Sequence, residues 1–122
     1  MRILIADAHS QVRFALRVAL ERQPGITRID EATDAAELLV CANLIRPDLV
    51  VLDGELPGAS TLILVHHLRQ YCPSIKIIML SEKPEFADAA RVVGADAFVC
   101  KMDSPDYFLS AINKFCDRSD SG

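Results

Sequence analysis

Two patterns of apolar positions alternate along the chain: short apolar runs of strand length, and longer stretches with apolar residues at helical spacing. The runs over 1–6, 26–32, 48–52, 75–80 and 97–100 predict five strands. The stretches between and after them predict helices over 10–22, 33–44, 60–70, 84–94 and 104–116. Strand and helix therefore alternate from one end of the chain to the other.

Residues that start or stop helices set the predicted boundaries. Pro24 and the glycine after it end the first helix, and Thr33 suits the N-cap of the second. Pro84 fits the first turn of the fourth helix, which Gly94 ends. Pro105 fits the first turn of the last helix, which we expect to end near residue 116.

This alternation with short loops predicts a parallel sheet with right-handed crossovers and helices on both faces. Five such units in this length fit the flavodoxin-like doubly wound α/β fold with strand order 2-1-3-4-5. We assign residues 1–117 to one domain and 118–122 to a flexible tail or the start of a linker.

Four of the predicted strands are directly followed by a polar residue of a type that is common in active sites. These residues are Asp7, Asp53, Ser81 and Lys101. In an open parallel sheet, ligands bind beyond the carboxyl ends of the strands, at the point where the strand order reverses. Two carboxylates, a hydroxyl and an ammonium therefore predict a phosphoryl or metal site there.

Composition narrows the function classes. The chain has 122 residues, is 51% hydrophobic and carries a formal net charge of −4, so it offers no basic stripe for nucleic acid. No apolar stretch reaches the ~20 residues that a membrane helix needs, and the first run is too short for a signal peptide. We expect a cytoplasmic domain that contacts neither membrane nor nucleic acid.

The cysteines and the paired histidines do not predict a metal site. Cys41, Cys72, Cys100 and Cys116 lack the spacing of a zinc ligand set, so we expect them to be reduced and structural. The side chains of His66 and His67 point about 100° apart on a helix and cannot jointly hold an ion.

Four segments in the same order and spacing resemble the receiver domain of two-component response regulators, over essentially the whole chain. They are 3–9, 47–58, 77–81 and 94–101. His9 after the acidic position, and Lys101 without a following proline, are similar to the subfamily that often carries a helix-turn-helix DNA-binding domain downstream.

The resemblance implies a role for each matching residue. Asp53 would be the phosphoacceptor, Ser81 would hydrogen-bond a phosphoryl oxygen, and Lys101 would pair with another. Phe98 would be the aromatic residue whose rotamer follows phosphorylation. The partner would be a sensor histidine kinase or a phosphotransfer protein, and the chain would be a signalling switch, not a metabolic enzyme.

The expected Mg²⁺ site departs from the family pattern, which usually places two acidic residues after the first strand. Here the pair is Asp7 and Ala8, and a methyl group cannot bind an ion that demands oxygen ligands. Asp53 and the backbone carbonyl of Glu55 would remain, with Asp7 acting through water. We expect weak Mg²⁺ binding; the alternative is that Asp7 or Glu55 moves in to substitute.

A second departure is Glu82, which stands where the family usually has a small residue. It either blocks access to the acceptor or points to solvent near the fourth helix. With Asp7, Asp53 and Glu55 it would crowd the crevice with carboxylates opposed chiefly by Lys101, and this disfavours an added phosphoryl charge. The alternative function is therefore a phosphorylation-independent interaction or dimerisation module with a receiver fold.

The first helix has apolar residues outside its predicted buried stripe. If Val12 and Leu16 face the core, Phe14 lies on the opposite face and Val18 about 40° from Phe14. The last helix is also more apolar than one stripe requires. This pattern predicts either a homodimer through the first and last helices or ordinary core packing.

Overall fold

The computed structural model describes the backbone of residues 1–120 and the side chains of residues 1–115. The strands are β1 (Arg2–Ala6), β2 (Arg28–Ala32), β3 (Leu49–Asp53), β4 (Lys76–Ser81) and β5 (Ala97–Cys100). The helices are α1 (Ser10–Glu21), α2 (Ala35–Ile45), α3 (Thr61–Tyr71), α4 (Phe86–Val93) and α5 (Pro105–Asp120).

The five strands form one parallel sheet in the order β2-β1-β3-β4-β5, which confirms the predicted fold class. β1 pairs with both β2 and β3, so the strand order reverses between β1 and β3. Asp7 follows β1 and Asp53 is the last residue of β3. The topology therefore places these two carboxylates on either side of the crevice where such sheets bind ligands.

The sheet separates two hydrophobic clusters, because successive residues of a strand point to opposite faces. Leu4 and Val50 pack on one face with residues of α2 and α3. Ile3 and Val51 pack on the other with residues of α1 and α5. Both faces of the central strands are buried, which is why their sequences are apolar at nearly every position.

The prediction that Thr33 caps the second helix is wrong, because the N-cap of α2 is Asp34. The Asp34 carboxylate accepts the backbone N–H of Glu37 at 2.8 Å. Thr33 lies one residue earlier and donates through its backbone N–H and its hydroxyl to Glu37 Oε1, both at 2.7 Å. Threonine and aspartate both suit an N-cap, so neighbouring candidates cannot be separated by residue type.

The start of α4 and the end of α5 also differ from the predictions. Pro84 lies in a turn before α4, whose N-cap is Glu85, and not in the first turn of the helix. α5 begins at Pro105, one residue after the predicted start, and continues to Asp120, beyond the predicted end near residue 116. The side chain of Cys116 lies outside the described residues, and the division of the chain at residue 117 stays a prediction. Within residues 1–120, no helix combines the length and apolarity needed to cross a bilayer.

Candidate functional site

The structure brings together the four polar residues at the strand ends. Asp7, Asp53 and Ser81 are buried, with 1%, 3% and 1% of their surface exposed. The Lys101 side chain, just after β5, is 10% exposed. Burial of two carboxylates beside one ammonium is costly unless the charges compensate each other, so this arrangement is the main electrostatic feature of the domain.

Lys101 links the two carboxylates. Its Nζ lies 2.7 Å from Asp7 Oδ2 and 3.4 Å from Asp53 Oδ1. Asp7 Oδ2 is fully buried and accepts no hydrogen bond of good geometry from the described residues, so the nearby ammonium compensates it by charge alone. Two negative charges against one positive charge leave the crevice with a net negative charge.

The pKa values follow from this balance. Burial is the largest cause that raises the pKa of Asp53, and the charge of Asp7 raises it further, against the N–H of Glu55 and the ammonium of Lys101. Burial alone lowers the pKa of Lys101, but the short contact with Asp7 and the attraction of both carboxylates outweigh it, so the pKa is raised.

The loop after β3 fixes one side of the Asp53 carboxylate. Asp53 Oδ1 accepts the backbone N–H of Glu55 at 3.0 Å, in addition to its contact with Lys101. The backbone N–H of Gly54 donates to the Leu80 carbonyl at 2.7 Å and ties this loop to β4. Asp53 Oδ2 takes part in none of these contacts, so one oxygen is held while the other remains available.

The loop after β4 holds Ser81 in a similar way. The Ser81 Oγ accepts the backbone N–H of Lys83 at 3.1 Å, which leaves its hydroxyl proton free to be donated. The Ser81 carbonyl accepts the N–H of Lys101 at 2.7 Å, so β4 and the end of β5 are joined at the crevice.

Lys83 is a residue of the site that the sequence analysis missed. Its Nζ lies 3.2 Å from Glu55 Oε1 and 5.4 Å from the centre of the Phe86 ring. The expectation that Lys101 opposes the acidic residues agrees with its contacts to Asp7 and Asp53, but it is wrong for Glu55, which pairs with Lys83. The only signal in the sequence was a lysine two residues after Ser81, on the loop that follows a site strand.

Glu82 and Phe98 are the two remaining residues that the sequence analysis singled out. Glu82 is exposed, which agrees with the alternative that it points to solvent. Phe98 is partly buried within β5 and lines a surface groove with Tyr107 of α5. The structure thus places Phe98 between the sheet and the surface, away from the carboxylates.

Three side chains offer atoms for a metal ion. Ligand atoms of Asp7, His9 and Asp53 all lie within 4.8 Å of one another. His9 Nδ1 lies 3.0 Å from Asp7 Oδ1, and the His9 backbone N–H donates to the same oxygen at 2.8 Å. Ala8 is exposed and offers no ligand. Sequence reasoning used His9 only as a mark of the subfamily and did not identify it as a candidate ligand.

This donor set fits Mg²⁺ poorly. Mg²⁺ prefers oxygen ligands in near-octahedral geometry, and the position of the second carboxylate is taken by Ala8. The carboxylates that remain already contact Lys101, and the third neighbouring atom is an imidazole nitrogen. The Glu55 side chain, a candidate substitute, is instead paired with Lys83.

Comparison with known proteins identifies the family. The family model described as "Response regulator receiver domain" matches residues 3–113. The nitrate/nitrite response regulator protein NarP of Escherichia coli K12 is 31% identical over 113 residues, which is 91% of this chain and 53% of NarP. NarL of the same strain is 28% identical, over 92% of this chain and 53% of NarL. The chain thus spans about half the length of these relatives.

Solved structures agree. A LuxR-family two-component response regulator from Aurantimonas sp. SI85-9A1 superposes with a TM-score of 0.85 at 32% identity, covering 95% of this chain and 84% of that one. A CheY-like receiver domain protein from Methanospirillum hungatei JF-1, at 24% identity and a TM-score of 0.84, shares the fold over 98% of this chain and 96% of its own. The chain belongs to the response regulator receiver domains of two-component signalling.

Proposed function

We propose that this receiver domain accepts a phosphoryl group on Asp53 and that its use of Mg²⁺ is weakened by Ala8. The observation that carries the proposal is the state of the Asp53 carboxylate. Oδ1 accepts the backbone N–H of Glu55 and contacts the Lys101 ammonium, and Oδ2 takes no part in either of these contacts. A nucleophile fixed through one oxygen and free at the other suits in-line attack on phosphorus.

The transfer uses the neighbours of Asp53 in distinct roles. Asp53 Oδ2 forms a bond to phosphorus as the bond to the donor's leaving group breaks, and the leaving group keeps that electron pair. The Ser81 hydroxyl donates to one phosphoryl oxygen, and the Lys101 ammonium pairs with another. Lys101 then exchanges part of its contact with Asp7 and Asp53 for the phosphoryl group.

Mg²⁺ supplies further neutralisation of the phosphoryl oxygens when it is bound. Asp7, Asp53 and the backbone carbonyl of Glu55 would hold it. Because Ala8 contributes no ligand, the affinity for Mg²⁺ is low. Lys101 therefore neutralises more of the phosphoryl charge than it would in a site with two acidic residues and a bound metal.

The role that follows is that of a switch. The phosphoryl donor is a sensor histidine kinase or a phosphotransfer protein, in keeping with the family. Phosphorylation draws Ser81 and Lys101 toward the phosphoryl group, and Phe98, between the sheet and the α5 groove, changes rotamer with them. The printed names of NarP and NarL describe nitrate/nitrite response regulators; a similar regulator is the class of whole protein we propose for this chain.

The intact mass of the protein after incubation with a small acyl phosphate, across a Mg²⁺ series, tests the proposal. We expect one phosphoryl group on the native chain at high Mg²⁺ and none on Asp53→Asn. Ala8→Asp lowers the Mg²⁺ concentration required by about tenfold or more. Asp103→Asn, which changes an exposed carboxylate, is the matched control and behaves as the native chain.

The same experiment decides between this function and its alternative. If a phosphoryl group is added to Ala8→Asp but not to the native chain, the native domain is an interaction module that does not use phosphorylation. Addition to neither protein contradicts the assignment of Asp53 as a working acceptor.

A second candidate function, homodimerisation through α1 and α5, has its own observation. Phe14 is 69% exposed, and beside it lies an apolar groove between the two helices, lined in part by Val18, Pro105 and Leu109. A symmetric dimer uses the same patch on both copies, so each Phe14 would cover the groove of the other copy. This face therefore fits a second copy of the chain.

Sedimentation at high micromolar concentration tests the dimer. We expect self-association that Phe14→Ser abolishes. The control Tyr71→Ser changes a different exposed aromatic residue, which lies on α3, and leaves the self-association unchanged. A native chain that stays monomeric contradicts the dimer.

A further inference from the structure

We propose that Asp7, His9 and Asp53 form a binding site for a divalent transition ion with a preference for imidazole nitrogen, such as Co²⁺, Ni²⁺ or Zn²⁺, in preference to Mg²⁺. The inference relies on the proposed function only for the location of the crevice. It does not require that Asp53 be phosphorylated.

The geometry of Asp7 and His9 carries the proposal. Two ligands at about 2.0–2.2 Å from one ion, at right angles or tetrahedral, lie about 3.0–3.5 Å from each other. Asp7 Oδ1 and His9 Nδ1 are 3.0 Å apart, a hydrogen-bond distance that is also the separation of neighbouring ligands on one ion. An ion that binds both atoms takes the place of the proton between them. An atom of Asp53 completes the set within 4.8 Å, so a small movement of that carboxylate brings all three to the ion.

The local backbone positions His9 for this role. His9 is the N-cap of α1, with φ −93° and ψ 115°, and its side chain makes no capping hydrogen bond. The extended backbone instead turns the ring back over Asp7. The His9 backbone N–H donates to Asp7 Oδ1 at 2.8 Å, and the Arg13 guanidinium donates to the Asp7 backbone carbonyl at 2.8 Å, so both hold Asp7 in place. Such second contacts orient a carboxylate toward a metal.

The two oxygens of Asp7 are used differently. Oδ2 faces Lys101 and is buried without a well-formed hydrogen bond, and Oδ1 faces His9. An ion bound at Oδ1 and Nδ1 therefore need not displace the Lys101 ammonium from Oδ2. The His9 side chain is 67% exposed, which leaves an open path for the ion and for water ligands.

The charge of the crevice favours a cation at this site, although the site lies at the N-terminus of α1. The dipole of α1 opposes a cation there, but this effect is weak at an exposed site and is screened by salt. Against this, Asp7 and Asp53 are buried carboxylates that share one ammonium, so the crevice has an uncompensated negative charge. The attraction of that charge for a divalent ion at low effective dielectric exceeds the dipole effect.

The chemistry of the ligands selects the ion. Imidazole suits Zn²⁺, Ni²⁺ and Co²⁺, whereas Mg²⁺ prefers carboxylate, carbonyl and water. Ala8 removes the oxygen ligand that would favour Mg²⁺, and His9, one residue further, supplies nitrogen. The substitution thus changes which ion the crevice binds.

Titration of the reduced protein with Co²⁺, followed by visible absorption and calorimetry, tests this site without a phosphoryl donor. We expect one Co²⁺ per chain with the weak visible bands of nitrogen and oxygen ligands. His9→Asn weakens Co²⁺ binding by about tenfold or more and leaves Mg²⁺ binding unchanged. Asparagine is a good N-cap residue, so this variant is expected to fold.

His66→Asn is the matched control, because His66 is exposed on α3. It leaves Co²⁺ binding unchanged, and Ala8→Asp strengthens Mg²⁺ binding instead. The proposal is overturned if His9→Asn binds Co²⁺ as the native chain does, if Mg²⁺ competes at equal concentration, or if strong thiolate charge-transfer bands show that the cysteines hold the ion. Any of these results leaves phosphorylation of Asp53, measured by mass, unaffected.

Discussion

At the scale of single residues, Lys101 decides whether the crevice is stable. It is the cation within reach of both Asp7 and Asp53, and its contact with Asp7 is the shorter one, at 2.7 Å against 3.4 Å. The raised pKa of Lys101 means that its stabilising contribution is fully present at neutral pH and is lost only as the pH rises through that raised value.

We predict that Lys101→Met destabilises the domain at pH 7.5 by about 3–5 kcal/mol, because it leaves two buried carboxylates without a partner. Urea denaturation measures the effect. Adding Asp53→Asn to this variant recovers part of the loss, since one buried charge is then gone. A loss below about 1 kcal/mol, typical of an exposed ion pair, would contradict the role given to Lys101.

For Asp53 itself, we predict that Asp53→Asn stabilises the native domain at pH 7.5. Because the pKa is raised in the folded state, chiefly by burial, ionisation of Asp53 opposes folding above that pKa and costs nothing once the group is protonated. The stability gained by Asp53→Asn is therefore largest at neutral pH and shrinks as the pH falls toward about 4.

Denaturation of both proteins across this pH range checks the sign. Asp103→Asn, at an exposed carboxylate in the loop before α5, is the control and shows little change at any pH. An Asp53→Asn variant that is less stable than the native chain at pH 7.5 would mean that Asp53 contributes more through Lys101 and Glu55 than it loses by burial.

Sequence reasoning reached the site residues at or beside strand ends, but it missed the roles of two residues on the loops that follow. Asp7, Asp53 and Ser81 follow from strand boundaries, since parallel strands deliver their last residues to one edge. His9 and Lys83 reach the site through the backbone of the loops after β1 and β4. Hydrophobic periodicity carries no information about that backbone.

At the scale of elements, the strands were predicted more closely than the helix starts. A strand that is buried on both faces must be apolar throughout, and this is visible in β3 and β4. A helix start depends on which of several adjacent polar residues accepts a backbone N–H. At α2 that residue is Asp34, one position after Thr33.

We predict that Asp34→Ala lowers the free energy of unfolding by about 1 kcal/mol, the usual effect of losing an N-cap. Thr33→Ala is the comparison: its hydroxyl bond to Glu37 is exposed and its backbone N–H still donates, so we expect about 0.5 kcal/mol or less. Thermal or urea denaturation distinguishes the two. A larger effect at Thr33 would assign the cap to the residue that the sequence favoured.

At the scale of the whole molecule, the two faces of the sheet are covered unequally. On the face of α2 and α3, both helices contribute several fully buried residues to the core. On the other face, α1 buries only Leu20 among its described residues. A cavity of about 290 Å³ lies between α1 and α5, lined mainly by apolar side chains such as Leu16 and Phe108. This pocket is open to solvent, so the side chains that line it make fewer packing contacts than they would in a filled core.

This asymmetry predicts the order in which the domain opens. Regions with few buried apolar contacts open at lower free energy than the global unfolding reaction. We expect backbone amides of α1 to exchange with solvent before those of α2, and both before those of β3 and β4. Native-state hydrogen exchange followed by mass spectrometry measures this order. Exchange of α1 at the same rate as β3 would mean that the cavity does not weaken this face.

The same experiment relates stability to function. If a second copy covers α1 and α5, raising the protein concentration protects α1 selectively, because association stabilises only the state in which that face is folded. Phe14→Ser removes this dependence on concentration without altering exchange in α2, which lies on the opposite face of the sheet. Protection of α1 that does not change with concentration would instead show that its stability is set within one chain.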